Sequence, residues 1–363
     1  MDTVFMKNRY LALGIMSGTS LDGLDLCLCE FLKHDSLWNY RILKAETLEY
    51  TPFWKDRLKS VEKASAFDLA KTNADYGHFI AQSVNRFLGN VSERPDFIAS
   101  HGHTVFHQPD IGLTLQIGDG ATIAAVTTIP TVSNFRSGNV AIGGQGAPLV
   151  PAGDALLFGN YDMCLNIGGF SNISYQKEQE RIAFDICPAN IVLNHYAEKI
   201  GLNYDKDGAE ARKGKLNLEL FERLNRLGFY RIDKNKSLGK EWVLEHIYPL
   251  TDAFETNIYN VLNTLTEHIA YQIAGKLNLK SKATVLITGG GANNKYLIER
   301  IGNFTANSLT LGEEDLIHYK EALIFAFLGL LRWLGEPNCL KSATGACKDH
   351  CGGGIYSTIP HAR

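Results

Sequence analysis

Three short glycine-rich turns, each placed directly after a predicted β-strand, constrain this chain more than any other feature. They occupy residues 17–23 (SGTSLDG), 168–172 (GGFSN) and 289–293 (GGGAN). Glycine lets backbone N–H groups approach phosphate oxygens closely, because no Cβ intrudes and positive φ is accessible. A single glycine at a strand end usually marks only a turn. Three such turns, two of which carry Ser or Thr, favour a nucleotide-binding protein of the α/β class.

The surroundings of the first turn recur in the middle of the chain. Strand-like runs at 10–16 and 24–31 flank the first turn, and runs at 163–167 and 173–175 flank the second. The two copies match in arrangement rather than in detailed sequence, which indicates two related α/β halves. A length of 363 residues suits two domains. We expect domain I at 1–150 and domain II at 151–319, with the C-terminal segment 320–363 packing back on domain I.

Apolar spacing typical of helices covers residues 67–88, 189–200, about 252–277 and 321–334. The polar, glycine-containing segment 206–215 is instead predicted to be a mobile loop near a domain junction.

Composition limits the class of partner. The net charge is −3, and no Lys/Arg run suggests a nucleic-acid or membrane surface, so small-molecule partners are favoured. The N-terminal residues lack a signal pattern, and the apolar run at 322–334 is too short to span a bilayer, so we expect a cytoplasmic protein. The seven cysteines fit a reducing compartment. Cys339, Cys347 and Cys351 lie near His350, but without CxxC pairs reduced thiols are favoured over a zinc site.

Two common nucleotide-binding signatures are missing. The sequence contains no GxxxxGK[ST] motif, and no GxGxxG opens a helix after the first strand. The remaining mode of binding is one in which hairpins from two similar domains hold the nucleotide between them.

Several segments, in the same order, resemble those of the anhydro-N-acetylmuramic acid kinases. They are GIMSGTSLDGLDL (14–26), SHGHTVFHQP (100–109), QIGDG (116–120), NFRSGNVAIGGQGAPLVP (134–151), LNIGGFSNIS (165–174), FDICPAN (184–190), TGGGANN (288–294) and EALIFAFLGLL (321–331). Three of them depart from the common family pattern, which has FDTGPGN for FDICPAN, Gln for His103 and Asp for Asn134. The resemblance implies an actin-like ATPase fold, with two α/β domains around a central nucleotide cleft, and it suggests a homodimer.

The resemblance also implies the reaction. Water opens the 1,6-anhydro ring of 1,6-anhydro-N-acetylmuramic acid, and O6 takes the γ-phosphate of ATP, giving N-acetylmuramic acid 6-phosphate and ADP in peptidoglycan recycling. The expected cofactors are ATP and Mg²⁺, with Asp22 or Asp25 holding the metal directly or through water. The implied ATP-binding residues are Gly18, Thr19, Ser20, Leu21, Asp22, Gly23, Leu24, Asp25, Gly168, Gly169, Ser171, Asn172, Gly289, Gly290, Gly291 and Asn293.

Asp185 is the predicted general base, since the reaction needs a carboxylate that takes a proton from water. It lies near the end of a strand and before a helix, where clefts of α/β sheets form. The alternative is a helix-capping Asp. Asp119 is the second candidate carboxylate, with substrate positioning as its expected role.

The predicted sugar-binding residues are His101, Gly102, Asp119, Asn134, Arg136, Gln145 and Gly146. Arg136 suits the lactyl carboxylate of the sugar; an ion pair at the surface or between domains is the alternative.

Three other functions stay open at this point. His101, His103 and His107 alternate along a strand, so a metal-dependent hydrolase is a rival. A nucleotide-dependent scaffold protein of the actin type is a second alternative. The segments that resemble sugar-binding motifs argue against it. A kinase of the same fold acting on another amino or anhydro sugar is the nearest alternative.

Overall fold

The protein is described by a computed structural model that covers residues 7–18, 21–35, 37–89, 91–232 and 237–358. Its strands are β1 (Arg9–Ser17), β2 (Gly23–His34), β3 (Leu37–Glu49), β4 (Phe97–Ser100), β5 (His103–Gln108), β6 (Leu113–Ile117), β7 (Thr131–Ser133), β8 (Met163–Ile167), β9 (Phe170–Lys177), β10 (Glu180–Pro188), β11 (Thr284–Thr288), β12 (Ser308–Leu311) and β13 (Gly354–Tyr356).

The helices include several short ones. They are α1 (Pro52–Ser60), α2 (Ala66–Leu88), α3 (Gly120–Thr127), α4 (Ser137–Ala141), α5 (Val150–Leu157), α6 (Asn190–Glu198), α7 (Ala209–Lys213), α8 (Leu218–Asn225), α9 (Lys240–Trp242), α10 (Tyr248–Phe254), α11 (Ile258–Leu277), α12 (Lys295–Phe304), α13 (Glu314–Leu334) and α14 (Lys341–Thr344). None of the helices in the described ranges is both long and apolar enough to cross a membrane.

The chain divides into two compact units. The first comprises Met1–Leu157 and Tyr319–Arg363, and the second comprises Phe158–His318. The sheet of the first unit has the strand order β13-β7-β4-β1-β2-β3, and that of the second has the order β10-β9-β8-β11-β12.

The two sheets repeat one topology. In each, the first strand pairs antiparallel with the second, the second pairs antiparallel with the third, and the first pairs parallel with the fourth. The fifth strand then lies parallel beside the fourth. The prediction of two related α/β halves is therefore confirmed, and the fold is of the actin-like ATPase type.

The core of the first unit includes helix α13. A Cβ on Gly14 of β1 would lie 1.8 Å from the carbonyl oxygen of Ala322, so α13 contacts this strand backbone to backbone. A Cβ on Gly329 would lie 2.5 Å from that of Ala99 on β4. The close approach places the apolar residues of α13 against the centre of the sheet, where they are buried.

The core of the second unit is built around the buried helix α11, and here one predicted helix is interrupted. The segment 252–277 was expected to be continuous, but α10 ends at Phe254 and α11 begins at Ile258. Asn257 starts the new helix, because its side-chain oxygen accepts the N–H groups of Tyr259 and Asn260.

The segment 206–215, which was predicted to be a mobile loop, is largely helical. It forms a 3₁₀ turn at Lys206–Gly208 and helix α7. The carboxylate of Asp205, which is buried, accepts the N–H groups of Glu210 and Ala211, both at 2.8 Å. These bonds satisfy two N–H groups of the first turn of α7 that lack partners within the helix.

Candidate active site

The first glycine turn joins β1 to β2 in the first unit. Gly18 accepts the N–H of Leu21 at 3.4 Å, and Leu21 has a φ of 60°. A Cβ on Gly23 would lie 2.7 Å from the carbonyl oxygen of Leu48, so β3 also requires glycine here. The predicted ligands Thr19 and Ser20 lie outside the described residues. Leu24 is wholly buried, so any contact with a nucleotide would come from its backbone.

Two carboxylates lie at the end of this turn, one within it and one just after it. Asp22 is exposed, whereas Asp25 on β2 is half-buried and accepts a hydrogen bond from Thr47 Oγ1 at 2.6 Å. Carboxylate oxygens are the ligands that Mg²⁺ prefers, and Mg²⁺ commonly takes only one or two of them beside phosphate oxygens and water.

The second glycine turn is fastened to the start of helix α6. The Gly169 carbonyl accepts the N–H groups of Ala189 at 2.8 Å and Ile191 at 3.2 Å, and the Gly168 carbonyl accepts that of Asn190 at 3.1 Å. The turn therefore has a fixed position relative to the segment FDICPAN. Within the turn, the buried hydroxyl of Ser171 donates to the Cys187 carbonyl, so this side chain stabilises the hairpin itself.

Asp185 lies at a β-bulge on strand β10. The register against β9 shifts between Asp185, which faces Asn172, and Cys187, which faces Ser171. A bulge bends a strand locally and redirects its side chains. The half-buried Asp185 carboxylate accepts hydrogen bonds through Oδ2 from the N–H of Leu238 at 2.9 Å and from Ser237 Oγ at 3.2 Å.

The capping alternative for Asp185 is wrong. Helix α6 begins at Asn190, its N-cap residue is Ala189, and no side chain caps it. Asp185 thus has a polar environment of its own, separate from the helix start.

The third glycine turn adjoins the second one within the second unit. A Cβ on Gly289 would lie 2.6 Å from Asn166 Oδ1, and one on Gly291 would lie 2.3 Å from Ile167 Cγ2. Both contacts are at the end of β8, which only glycine permits. A cavity of about 820 Å³ opens beside this turn, and its lining includes Gly290 and Asn293.

The cavity beside the third turn also has walls that the sequence did not indicate. Asn190 and Asn194 from α6, Tyr204 and Lys206 from the segment before α7, and His318 from α13 contribute. Amide, phenol and imidazole groups of this kind bind the edges of a nucleobase and its ribose through hydrogen bonds.

A smaller pocket of about 160 Å³ in the first unit contains four of the seven predicted sugar-binding residues. These are His101, Gly102, Asp119 and Asn134. The remaining three, Arg136, Gln145 and Gly146, do not line it. Eight other residues line the pocket and were not among the predicted ones: Asn73, Leu115, Gln116, Gly118, Gly120, Ser133, Ser137 and Tyr356. No motif marks Asn73 or Tyr356, which reach the pocket from α2 and from the C-terminal strand β13.

The buried His101 and the half-buried Arg136 form one polar unit. His101 Nδ1 donates to the Gly102 carbonyl at 2.8 Å, so Nε2 accepts from Arg136 Nε at 2.9 Å. Burial, and then the adjacent guanidinium, hold the pKa of His101 well below its usual range. Burial lowers the pKa of Arg136 to about 10. The imidazole is therefore neutral and the guanidinium charged near neutral pH.

Arg136 also organises the loop GGQGAP. Its Nη1 donates to the Gly146 carbonyl at 2.7 Å, and the Gly146 N–H donates to Asn139 Oδ1 at 2.8 Å. These bonds go to a carbonyl and an imidazole, so the alternative of an ion pair does not describe this arginine within the described residues. Gln145 donates its N–H to the Thr344 carbonyl, and its side chain is exposed.

Asp119 has a structural role in addition to lining the small pocket. It is the N-cap of α3, and its Oδ2 accepts from Thr122 N at 2.7 Å and from Thr122 Oγ1 at 2.5 Å. This arrangement suits positioning better than proton abstraction. Asn134 has a φ of 57° and accepts from Ser137 Oγ. Asn tolerates this left-handed conformation better than most residues.

The three histidines have separate partners. His103 Nδ1 contacts Ser17 Oγ at 3.3 Å, His107 Nδ1 contacts Thr114 Oγ1 at 3.0 Å, and His101 contacts Gly102 and Arg136. Burial lowers the pKa of His103 to about 4. Within the described ranges, no three His, Cys, Asp or Glu side chains are grouped closely enough to hold a metal ion. The described residues therefore provide no metal centre for the hydrolase hypothesis, and they form no zinc site at Cys339–Cys351.

Glu321 is a further carboxylate that the sequence did not single out. Its side chain is exposed, and partial desolvation by the neighbouring protein raises its pKa. The charge of Arg136 opposes this effect, while that of Asp25 adds to it. The Glu321 carboxylate therefore interacts electrostatically with Asp25 on β2 and with Arg136.

Comparison with known proteins gives a consistent family. A family model described as anhydro-N-acetylmuramic acid kinase matches residues 9–358. An anhydro-N-acetylmuramic acid kinase of Hydrogenovibrio crunogenus is 34% identical over 365 residues, covering 95% of this chain and 98% of the relative. The enzyme of the same name from Sulfurovum sp. is 34% identical, covering 96% and 99%. That from Vibrio parahaemolyticus is 32% identical, covering 97% and 100%.

Solved structures resemble the chain more distantly. Component A of the (R)-2-hydroxyglutaryl-CoA dehydratase of Acidaminococcus fermentans aligns with a TM-score of 0.44 and 13% identity, over 87% of this chain and 96% of that one. A hexokinase of Schistosoma mansoni in complex with glucose aligns with a TM-score of 0.36 and 11% identity, over 84% and 82%. Similarity this low carries no information about activity.

Proposed function

The chain belongs to the anhydro-N-acetylmuramic acid kinase family, and from this membership we propose that it is an ATP-dependent kinase of 1,6-anhydro-N-acetylmuramic acid. Water attacks C1 of the sugar, the C1–O6 bond breaks, and O6 takes the γ-phosphoryl group while ADP leaves. The products are N-acetylmuramic acid 6-phosphate and ADP, and the role is peptidoglycan recycling.

The placement of Asp185 carries this proposal. It is a half-buried carboxylate at a β-bulge, it does not cap a helix, and its Oδ2 is held by the Leu238 N–H. A general base must be fixed in orientation to take a proton from one water molecule. We assign Asp185 this role: it removes the proton of the water as the water oxygen bonds to C1.

The glycine turns have the role of positioning ATP. Phosphoryl transfer depends mainly on alignment and on charge stabilisation, which backbone N–H groups supply without side chains. We assign residues 18–25 and 168–172 to the phosphates. We assign residues 289–293, with the cavity of about 820 Å³, to the adenosine.

Mg²⁺ fits the donors on the first turn. Asp22 would hold it directly or through water, with Asp25 nearby on β2, and these oxygen ligands suit a hard cation. When bound, the ion neutralises charge on the β- and γ-phosphate oxygens.

The first unit has the role of binding the sugar. The neutral His101 and the amides and hydroxyls of the small pocket suit sugar hydroxyls and an N-acetyl group. The charged Arg136 suits the lactyl carboxylate. In this proposal domain I, with the C-terminal segment, binds the sugar and the first phosphate contacts, while domain II carries Asp185 and the adenosine site. A cytoplasmic location and a homodimer complete it.

The decisive experiment measures ADP release with Mg-ATP, with and without 1,6-anhydro-N-acetylmuramic acid. The expected result is sugar-dependent ADP release and a sugar product heavier by one water and one phosphate. Other anhydro and amino sugars serve as matched substrates, because Asn134 replaces the Asp common in the family. ADP release that no such sugar stimulates would overturn the kinase assignment.

A further inference from the structure

A chain of buried hydrogen bonds lies directly behind the first glycine turn. Ser17, the last residue of β1, has its Oγ 2.8 Å from the Tyr50 hydroxyl and 3.3 Å from His103 Nδ1. The Tyr50 hydroxyl is in turn 2.5 Å from that of Tyr76. All four residues are at most 5% exposed. None of them was assigned a role in the reaction above.

The chemistry of these groups makes the chain cooperative. Each hydroxyl has one proton to donate, so the bonds run in one direction from Tyr76 to His103 or in the other from His103 to Tyr76. In both directions Tyr50 donates one bond and accepts another. Its removal therefore takes one hydrogen bond from each of two buried partners, Ser17 and Tyr76, which is costly in a water-free interior.

The same helical turn that carries Tyr76 also holds the loop of the small pocket. Asn73 Oδ1 accepts the N–H of Gly118 at 2.8 Å, and the Asn73 carbonyl accepts that of Asp119 at 3.3 Å. A Cβ on Gly77 would lie 3.0 Å from the Asp119 carbonyl oxygen. The chain of hydrogen bonds therefore connects the first glycine turn to a part of α2 that is fixed by its contacts with residues 118 and 119.

The glycine turn needs such support. Glycine residues have no side chains with which to fix their own backbone. The internal backbone bond that the described residues of the turn show, from Leu21 to Gly18, is long at 3.4 Å. Ser17 directly precedes Gly18, and its side chain is the one through which the buried hydrogen bonds contact this turn.

We propose that Tyr50 and His103 are positioning residues for ATP, which act through Ser17 to hold the first glycine turn where its N–H groups meet the β- and γ-phosphates. The inference rests on the proposed function, since it takes this turn to be a phosphate site. It adds two residues, distant in sequence from the turn, on which the affinity for those phosphates depends.

The test compares the binding of ADP with that of AMP, because AMP lacks the β-phosphate that the turn would contact. Isothermal titration calorimetry with Mg²⁺ gives both dissociation constants without turnover. Tyr50→Phe should weaken ADP binding about tenfold, and Tyr76→Phe, which removes one bond instead of two, about threefold. AMP binding should stay unchanged in both variants.

Two controls separate positioning from general stability. Tyr10→Phe removes the hydroxyl of a buried tyrosine side chain at the opposite end of β1 and should leave both dissociation constants unchanged. His103→Gln keeps an amide that can bond to Ser17 and should bind ADP normally, whereas His103→Leu should resemble Tyr50→Phe.

The outcomes distinguish this inference from the proposed function. Wild-type protein that binds neither nucleotide would overturn both. ADP binding by the wild type that Tyr50→Phe leaves intact, or a loss of ADP and AMP affinity in equal measure, would overturn the positioning role alone.

Discussion

At the scale of single residues, Asp185 owes its placement to a backbone irregularity. A regular strand would alternate Asp185, Ile186 and Cys187 across the sheet, but the bulge lets Ile186 and Cys187 both be fully buried. The Asp185 side chain is thereby directed to the hydrogen-bond donors of residues 237 and 238. The sequence predicted the residue and its strand, whereas the bulge and the donors depend on tertiary contacts.

Asp185→Asn should lower turnover about 10³-fold, because the amide retains the shape of the side chain but cannot take a proton from water. ATP binding and the melting temperature should change little. Turnover of the purified variant with ATP and the anhydro sugar checks this. Asp110→Asn, an exposed carboxylate in the turn between β5 and β6, is the matched control and should be fully active. Asp185→Asn turnover close to the wild-type rate would reject Asp185 as the base.

His268 makes a second prediction at the residue scale, concerning pH. It is buried on α11, with Nδ1 donating to Asn225 Oδ1 at 2.8 Å and Nε2 accepting from the Tyr230 hydroxyl at 2.9 Å. Burial lowers its pKa to about 3. Since the folded pKa lies below the unfolded value, the unfolded state binds more protons between these pKa values. The stability that neutral His268 provides is therefore present above about pH 6.5 and is lost as the pH falls.

Between pH 7 and pH 5, His268 should account for a loss of about 2 kcal/mol in the free energy of unfolding. His268→Gln should lack this loss, because Gln does not titrate. Chemical denaturation at both pH values measures the difference. His78→Gln, on the exposed face of α2, should keep the pH dependence of the wild type. Identical pH dependence in His268→Gln and the wild type would contradict the assignment.

At the scale of elements, the contact between β1 and α13 is the tightest test of the fold. Gly14→Ala would place a Cβ 1.8 Å from the Ala322 carbonyl oxygen. The Cβ position is fixed by the backbone of β1, and the oxygen belongs to the backbone of α13, so neither atom can rotate away. The free energy of unfolding should fall by about 3 kcal/mol or more. Gly302→Ala on α12 is the control. Its Cβ meets nothing within 4 Å, and Ala favours a helix over Gly, so stability should rise slightly. Denaturation midpoints of the two variants decide the point.

The elements also show what a sequence pattern can and cannot predict. Helix α2 follows the apolar spacing of 67–88 closely, since that spacing reflects a single buried face. The break between α10 and α11 was missed because Asn257 lies within continuous apolar spacing, and only the cap geometry reveals it. The order seen in segment 206–215 depends on Asp205, whose carboxylate binds backbone N–H groups.

At the scale of the whole molecule, the glycine turns and the repeated strand–turn–strand unit were predictable, because turn chemistry and hairpin pairing are local, whereas the parallel pairing of β8 with β11 joins segments distant in sequence. The small pocket was predictable only in part. His101, Gly102, Asp119 and Asn134 lie in recognisable motifs, but Tyr356 reaches the same pocket from the far end of the chain. Such a contact follows from topology, which periodicity in a sequence does not encode.

That topology makes a final prediction, about how the two units depend on the ends of the chain. The second unit is one continuous segment, Phe158–His318, with its own buried core around α11. The first unit is assembled from two segments, and its sheet needs α13 against β1 and β4 and needs β13 beside β7. A chain truncated after His318 should therefore lose the structure of residues 1–157 while the second unit stays folded. Limited proteolysis with mass analysis should yield a resistant fragment close to residues 158–318 from the truncated chain. The full-length chain, digested in parallel, should also protect residues 9–157. Equal protection of that N-terminal segment in both proteins would mean that the first unit folds without its C-terminal helix, contrary to the backbone contact at Gly14.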